Sequence, residues 1–214
     1  MDAQYRQPHH RDRMPLMEIL IMPYRKVQFA QGQYYHIYNR GVGQEPIFQE
    51  AENYRFLLRR VKKYASALDI AVIAYCLMPN HYHFLLRQDG QEPVGRLPQR
   101  VFNSYTKAFN KRYDRTGTLF EGPFRAIHVD RDSYLVHLCR YIHANPVKHG
   151  LVPDLEQWPY SNYPEWIGLR NGTLVDPDFV HEHFPVAESY RRFVLDYLAG
   201  LSKLPAEIEA YVLE

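Results

Sequence analysis

Two apolar stretches separated by Met78-Pro79-Asn80 constrain the fold of this chain more than any other feature. The first, residues 70–78, is almost unbroken in apolar side chains, the pattern of a strand covered on both faces. Pro79-Asn80 reverses the chain, and His81-Tyr82-His83-Phe84-Leu85-Leu86-Arg87 returns as a second strand, making a hairpin. Alternate side chains of a strand share a face. His81 and His83 therefore point to one side, while Tyr82, Phe84 and Leu86 point to the other, where they can enter a core.

The rest of the pattern supplies what covers the hairpin. Residues 34–39 are aromatic and β-branched and read as a strand, between Gly32 and Arg40-Gly41. Tyr54, Leu57, Leu58, Val61 and Ala65 recur at helical spacing and predict a helix over 51–67. Pro98 opens a second helix to about residue 113, with Val101, Phe102, Tyr105, Phe109 and Tyr113 on one face. Residues 124–129 read as a short strand. A third helix is capped by Asp130 or Asp132 and stopped at Asn145 by Pro146. Beyond Gly150 the chain is rich in aromatic residues and proline, with one short helix near 189–201. The order predicts an α+β fold of ferredoxin type, with helices on one side of a mostly antiparallel sheet. Residues 1–30 read as a mobile arm, 31–150 as the main domain, and 151–214 as an extension packed on it.

Composition narrows the setting. With 46% hydrophobic residues among 214, the chain can bury a core. No apolar run approaches the roughly 18 to 20 residues that span a bilayer, and no export signal is visible, so the expectation is a cytoplasmic protein. Cys76 and Cys139 each lie in apolar surroundings and read as buried free thiols. The net charge of +2 hides a division: residues 1–150 carry +9 and residues 151–214 carry −7. The first part suits a polyanionic partner.

Two imidazoles about 7 Å apart along one strand can hold a metal ion, although a His-x-His pair alone is common in structural settings. The third helix adds to it. Tyr134, Leu138, Tyr141 and Asn145 form one stripe, and Leu135, Cys139 and Ile142 form an apolar stripe that would hold the helix on the sheet. Between strand and helix lies a basic stretch, with Arg100, Lys107, Lys111, Arg112, Arg115 and Arg125 against Asp114 and Glu121. It offers phosphate contacts. Asn39, Arg40 and Lys148 are further candidates for touching nucleic acid. No Gly-rich phosphate loop is present, so no nucleotide cofactor is expected.

The segments Tyr35-His36-Ile37-Tyr38-Asn39-Arg40-Gly41, Met78-Pro79-Asn80-His81-Tyr82-His83-Phe84-Leu85-Leu86, Phe109-Asn110-Lys111-Arg112-Tyr113 and Arg140-Tyr141-Ile142-His143-Ala144-Asn145-Pro146-Val147-Lys148 resemble the REP-associated tyrosine transposases. These are the one-tyrosine branch of the His-hydrophobic-His nucleases. The likeness runs in order from about Tyr34 to Trp166. It implies that His81 and His83 bind a divalent metal, Mg²⁺ or Mn²⁺, and that Tyr141 is the nucleophile, with Tyr134 as competitor. Asn145 stands where such transposases place a third ligand. The implied substrate is single-stranded, hairpin-forming DNA, cut and rejoined through a 5′-phosphotyrosine. A non-cutting hairpin binder on the same scaffold is the alternative. Monomer and homodimer both remain open.

Overall fold

The computed structural model describes residues 27–209. Most of the arm expected over 1–30, and the last five residues of the extension, lie outside them. Four strands form one antiparallel sheet in the order β2-β3-β1-β4: β1 is Tyr34–Arg40, β2 Ile70–Leu77, β3 His81–Gln88 and β4 Arg125–Val129. Helices α1 (Ala51–Leu68) and α2 (Arg96–Arg112) complete the βαββαβ pattern, and α3 (Asp132–Lys148) follows β4. This is the ferredoxin-like α+β arrangement the sequence predicts.

The helices occupy both faces of the sheet, not one. Tyr35 and Ile37 of β1 join Val72, Tyr75, Tyr82, Phe84 and Leu86 in a core closed by Leu57 and Val61 of α1 and by Val101, Tyr105 and Phe109 of α2. The opposite face, with Ile73, Ala74, Cys76 and Leu85, packs against Leu135, Leu138, Cys139 and Ile142 of α3. β2 and β3 are apolar on both sides and therefore need cover on both. Both cysteines are free and buried.

Register ties the two faces together. In β1, Tyr38 lies opposite His83 and Arg40 opposite His81, while on the far side Tyr38 lies opposite Arg125. Directly opposed residues share a face, so His36, Tyr38 and Arg40 line the same side of the sheet as the β3 histidines.

Several boundaries differ from the sequence reading. Residues 27–30 belong to the folded domain: Val27 and Phe29 pack on the first core, and the Ala30 N–H donates to the Tyr35 hydroxyl at 2.7 Å. α2 starts at Arg96, so Pro98 sits inside its first turn, where a missing N–H is harmless. Neither Asp130 nor Asp132 caps α3. Its N-cap is Arg131, without a side-chain bond, and Asp132 lies in the first turn, favourable to the helix dipole. Pro146 does not stop α3, which continues to Lys148. Proline removes one hydrogen bond, but the chain beyond keeps His149 N–H to Asn145 O and Leu151 N–H to Pro146 O, both 2.9 Å.

The C-terminal part contributes α4 (Tyr163–Trp166), α5 (Pro177–His183), α6 (Ala187–Leu198) and α7 (Ala206–Glu209). Only one of these was legible as a helix. Leu155, Tyr163, Trp166, Phe179, Tyr190 and Val194 join the α3 core. The segment also covers the β2 edge: Leu77 N–H donates to Tyr160 O at 2.9 Å, and Asn162 Oδ1 accepts from Tyr75 N at 2.7 Å. Asn162 Nδ2 and Trp166 Nε1 both donate to Ile73 O, a carbonyl at the irregularity in β2 pairing. An exposed strand edge is a template for unwanted pairing, and this one is closed.

Candidate active site

β3 presents His81 and His83 toward α3. His83 is fully buried, and its ring meets the Tyr141 ring edge-on at 5.5 Å between centroids. The two histidine rings are 5.2 Å apart and nearly perpendicular. α3 brings Tyr141 and Asn145 to the histidines on successive turns, as their four-residue spacing requires.

Three buried side-chain atoms in this cluster lack hydrogen-bond partners: His81 Nε2, His83 Nε2 and Asn145 Oδ1. Buried polar atoms are nearly always satisfied, so three orphans beside one another mark a place built for something else. Each can present a lone pair. The His81 Nδ1–H donates to Asn80 Oδ1 at 2.8 Å, and Asn80 Nδ2 donates in turn to Gln44 O, which fixes the orientation of that amide. His81 therefore keeps its Nε2 lone pair exposed to the cluster. Asn145 Nδ2 donates to Tyr141 O at 2.8 Å, leaving Oδ1 as the free end. His83 Nδ1 shares a hydrogen bond of 3.0 Å with His36 Nε2.

Electrostatics keep these rings neutral. Burial pushes the His81 pKa down to about 4, opposed by the nearby Asn145 side chain and reinforced by His149 and Arg40. Burial also holds His83 well below the usual histidine range, with His36 and His81 adding to the effect. A neutral imidazole is the form that ligates a metal. Among the described residues no group of three or more His, Cys, Asp or Glu is placed to hold a metal ion. The available set is two imidazole nitrogens and one amide oxygen, and these fit a divalent ion of intermediate hardness with positions left open.

Tyr134 sits two turns before Tyr141, about 10 Å along the helix by its rise. Its hydroxyl accepts from Arg131 Nη1 at 2.7 Å, and the same guanidinium lies over its ring at 5.1 Å. No ring contact joins Tyr134 to His81 or His83.

The basic candidates divide by face. Lys107, Lys111 and Arg112 are on α2, across the sheet from the histidines, and Arg112 pairs there with Glu50. Arg115 stacks over Phe109, also on that side. Arg125 is exposed on β4, opposite Tyr38 and on the histidine side, where it helps line a surface groove of about 480 Å³. Arg40 faces the same way and pairs with Glu121 at 2.6 Å. Lys148 reaches toward the site from the end of α3, its Nζ 5.8 Å from the Tyr141 ring and 3.0 Å from the Tyr197 hydroxyl. Asn39 is spent on structure: it donates to Gly122 O and accepts from Arg40 N–H. Sequence reasoning passed over His36, which touches His83. His149, 5.5 Å from His81, was passed over as well. Only the cross-strand register and the end of α3 bring them in.

Comparison with known proteins places this arrangement. Residues 30–145 match the family model described as "Transposase IS200 like", more than half of the chain. The chain belongs to the IS200-like transposase family. The matched segment contains both histidines, both tyrosines and Asn145. A protein of Haemophilus influenzae that carries the name REP-associated tyrosine transposase is 27% identical over 106 residues. That stretch is 42% of this chain and 57% of the relative, so the likeness spans little more than half of the relative's length. Among solved structures, a REP-associated tyrosine transposase bound to a REP hairpin superposes with a TM-score of 0.59 at 15% identity, covering 72% of this chain and 98% of that one. This likeness establishes a shared fold. A transposase from Deinococcus radiodurans overlaps over 55% of this chain at a TM-score of 0.39, too low to carry an argument.

Proposed function

We propose that this IS200-like transposase cuts and rejoins single-stranded, hairpin-forming DNA, with Tyr141 as nucleophile. The observation that carries the reading is the contact of the Tyr141 ring with His83, beside three buried polar atoms without hydrogen-bond partners. In the reaction the Tyr141 oxygen bonds to a backbone phosphorus while the bond from phosphorus to the 3′-oxygen breaks. The phenol loses its proton, and the departing 3′-oxygen gains one. A 5′-phosphotyrosine and a free 3′-hydroxyl result. The ester conserves the bond energy, so a second 3′-hydroxyl can reverse the step, and no nucleotide is required.

His81 Nε2, His83 Nε2 and Asn145 Oδ1 would hold a divalent ion, Mg²⁺ or Mn²⁺. When bound, such an ion supplies positive charge to the non-bridging phosphate oxygens, where negative charge builds up. The protein's own part is orientation. α3 is packed along its length, so the phenol is delivered on a rigid element, and the buried surroundings keep water from competing. Lys148, close to the Tyr141 ring, suits a phosphate beside the nucleophile.

The test is a denaturing-gel assay for covalent protein–DNA adduct on hairpin DNA with a single-stranded flank and Mn²⁺. Wild type and Tyr134→Phe are expected to form adduct, and Tyr141→Phe none. Adduct in Tyr141→Phe would overturn the assignment. Tight hairpin binding by wild type without adduct would leave the hairpin-binding reading in its place.

A further inference from the structure

His36 lies on β1, the strand between β3 and β4, and is fully buried. Its ring lies nearly coplanar with that of His83, 5.2 Å between centroids at 19°, and stacks on Tyr38 at 4.8 Å and 27°. Its Nε2 is 3.0 Å from His83 Nδ1, and a single proton serves that bond. The proton has two possible homes, with different consequences for the other edge of His83.

If His36 donates, His83 accepts at Nδ1 and must carry its own proton on Nε2. Either way one ring carries a buried N–H, at His83 Nε2 here or at His36 Nδ1 in the other case, but here the His83 edge has no lone pair to offer. If His83 donates from Nδ1, its Nε2 is bare and joins His81 Nε2 and Asn145 Oδ1 as a third lone pair. The neighbouring ligand shows how the same problem is solved elsewhere in the site. His81 Nδ1 faces Asn80 Oδ1, an atom that can only accept, so its tautomer is fixed outright. His83 faces an imidazole, which can do either.

We propose that His36 is a positioning residue for the divalent ion. It accepts the His83 Nδ1–H and so holds the His83 Nε2 lone pair toward the metal. The proposal rests on reading His81, His83 and Asn145 as the ligand set. Residues that orient metal-ligating histidines are most often carboxylates or carbonyls, and their loss costs about 10- to 100-fold in metal affinity. A neutral imidazole in this position brings no charge into a fully buried layer, where a carboxylate would be costly to desolvate.

The test measures Mn²⁺ binding to the full, DNA-free protein by electron paramagnetic resonance, for wild type, His36→Phe and His36→Gln. Phe keeps the stack on Tyr38 but cannot accept a hydrogen bond. Its affinity is expected to fall about 10- to 100-fold. Gln places Oε1 near the former Nε2 and is expected to stay within a few-fold of wild type. Long-range ¹⁵N–¹H spectra of metal-free wild type are expected to show His83 protonated on Nδ1, a readout that does not depend on how the variants fold. His83 protonated on Nε2, or folded His36→Phe binding Mn²⁺ as wild type does, would overturn the proposal. His83→Ala keeps the two outcomes apart. If wild type binds no Mn²⁺, or His83→Ala binds it equally well, the ligand set itself fails, whatever His36 does.

Discussion

The side-chain amide of Asn145 donates to the backbone carbonyl of Tyr141, one turn earlier, at 2.8 Å. The bond reinforces the turn immediately before Pro146, and it turns the amide oxygen toward the histidines. Proposed nucleophile and candidate ligand are thus joined by one contact. Asn145→Ala removes both the oxygen and the back-bond. It is expected to lower adduct yield and Mn²⁺ affinity about tenfold or more, equivalent to roughly 1 to 2 kcal/mol of lost interaction. Melting curves by circular dichroism should show a much smaller loss of fold stability. Unchanged Mn²⁺ affinity would remove Asn145 from the ligand set.

The division of basic residues by sheet face leads to a contrast. Arg125→Ala and Lys148→Ala are expected to weaken binding of a single-stranded flank. Each should reduce the slope of log K against log salt by about 0.7 if it contacts one phosphate. Lys107→Ala and Lys111→Ala, across the sheet from the site, should leave that slope nearly unchanged. Fluorescence anisotropy over a range of NaCl concentrations measures both. A larger effect from the α2 pair would mean that the strand runs over the other face.

His143 sets an acid limit on stability. Fully buried, it bonds to the Tyr190 hydroxyl at 2.6 Å and to Asn162 Oδ1 at 2.9 Å. Burial lowers its pKa to about 4, with the Asn162 bond opposing the shift. The folded state thus binds a proton less readily than the unfolded chain, whose histidine titrates near 6.5. Stability is full above about 6.5 and is lost as pH falls toward 4, by up to roughly 3 kcal/mol from this one group. His81 shifts the same way and adds to the loss. Urea melts of metal-free protein between pH 7 and 4.5 should show the decline, and His143→Asn should show a shallower one from a lower starting point.

Removing the C-terminal part should unfold the protein. Arg140, the neighbour of Tyr141, is buried against it: Nη1 donates to Ser202 Oγ at 2.8 Å and Nη2 to Lys203 O at 2.7 Å, and the guanidinium lies 4.3 Å from the Phe193 ring. Truncation after Trp166 strips these partners and leaves the back of α3 uncovered. An apolar face that large does not stay exposed in a stable monomer. Insoluble protein, or a cooperative transition lost from the melting curve, is the expected result. A truncated protein that melts like wild type would show that the extension is dispensable.

Much of this was legible in the sequence because strand and helix periods are local. The parity of His81 and His83, the stripe through Tyr141 and Asn145, and the core role of Tyr82, Phe84 and Leu86 all follow from counting residues. What was not legible depends on elements distant in sequence. The place of His36 follows from which strand pairs with β3, and in what register. The layer in which α2 lies decides whether Lys107 and Lys111 face the site, and an amphipathic pattern gives a face without saying which side of a sheet it meets. Pro146 misled for a related reason: a proline predicts that the helix ends at the residue before it, and the turns on either side found other bonds.

The β1 register has one more consequence. Strand side chains alternate, so slipping β1 by a single residue against β3 would turn Tyr35 and Ile37 out of the first core and take His36 away from His83 in the same move. Hydrophobic burial and the histidine contact cannot be satisfied separately. A molecule that has settled this strand correctly has therefore also aligned its histidines, and with the proposed metal site Mn²⁺ uptake during refolding is expected to report correct strand alignment directly.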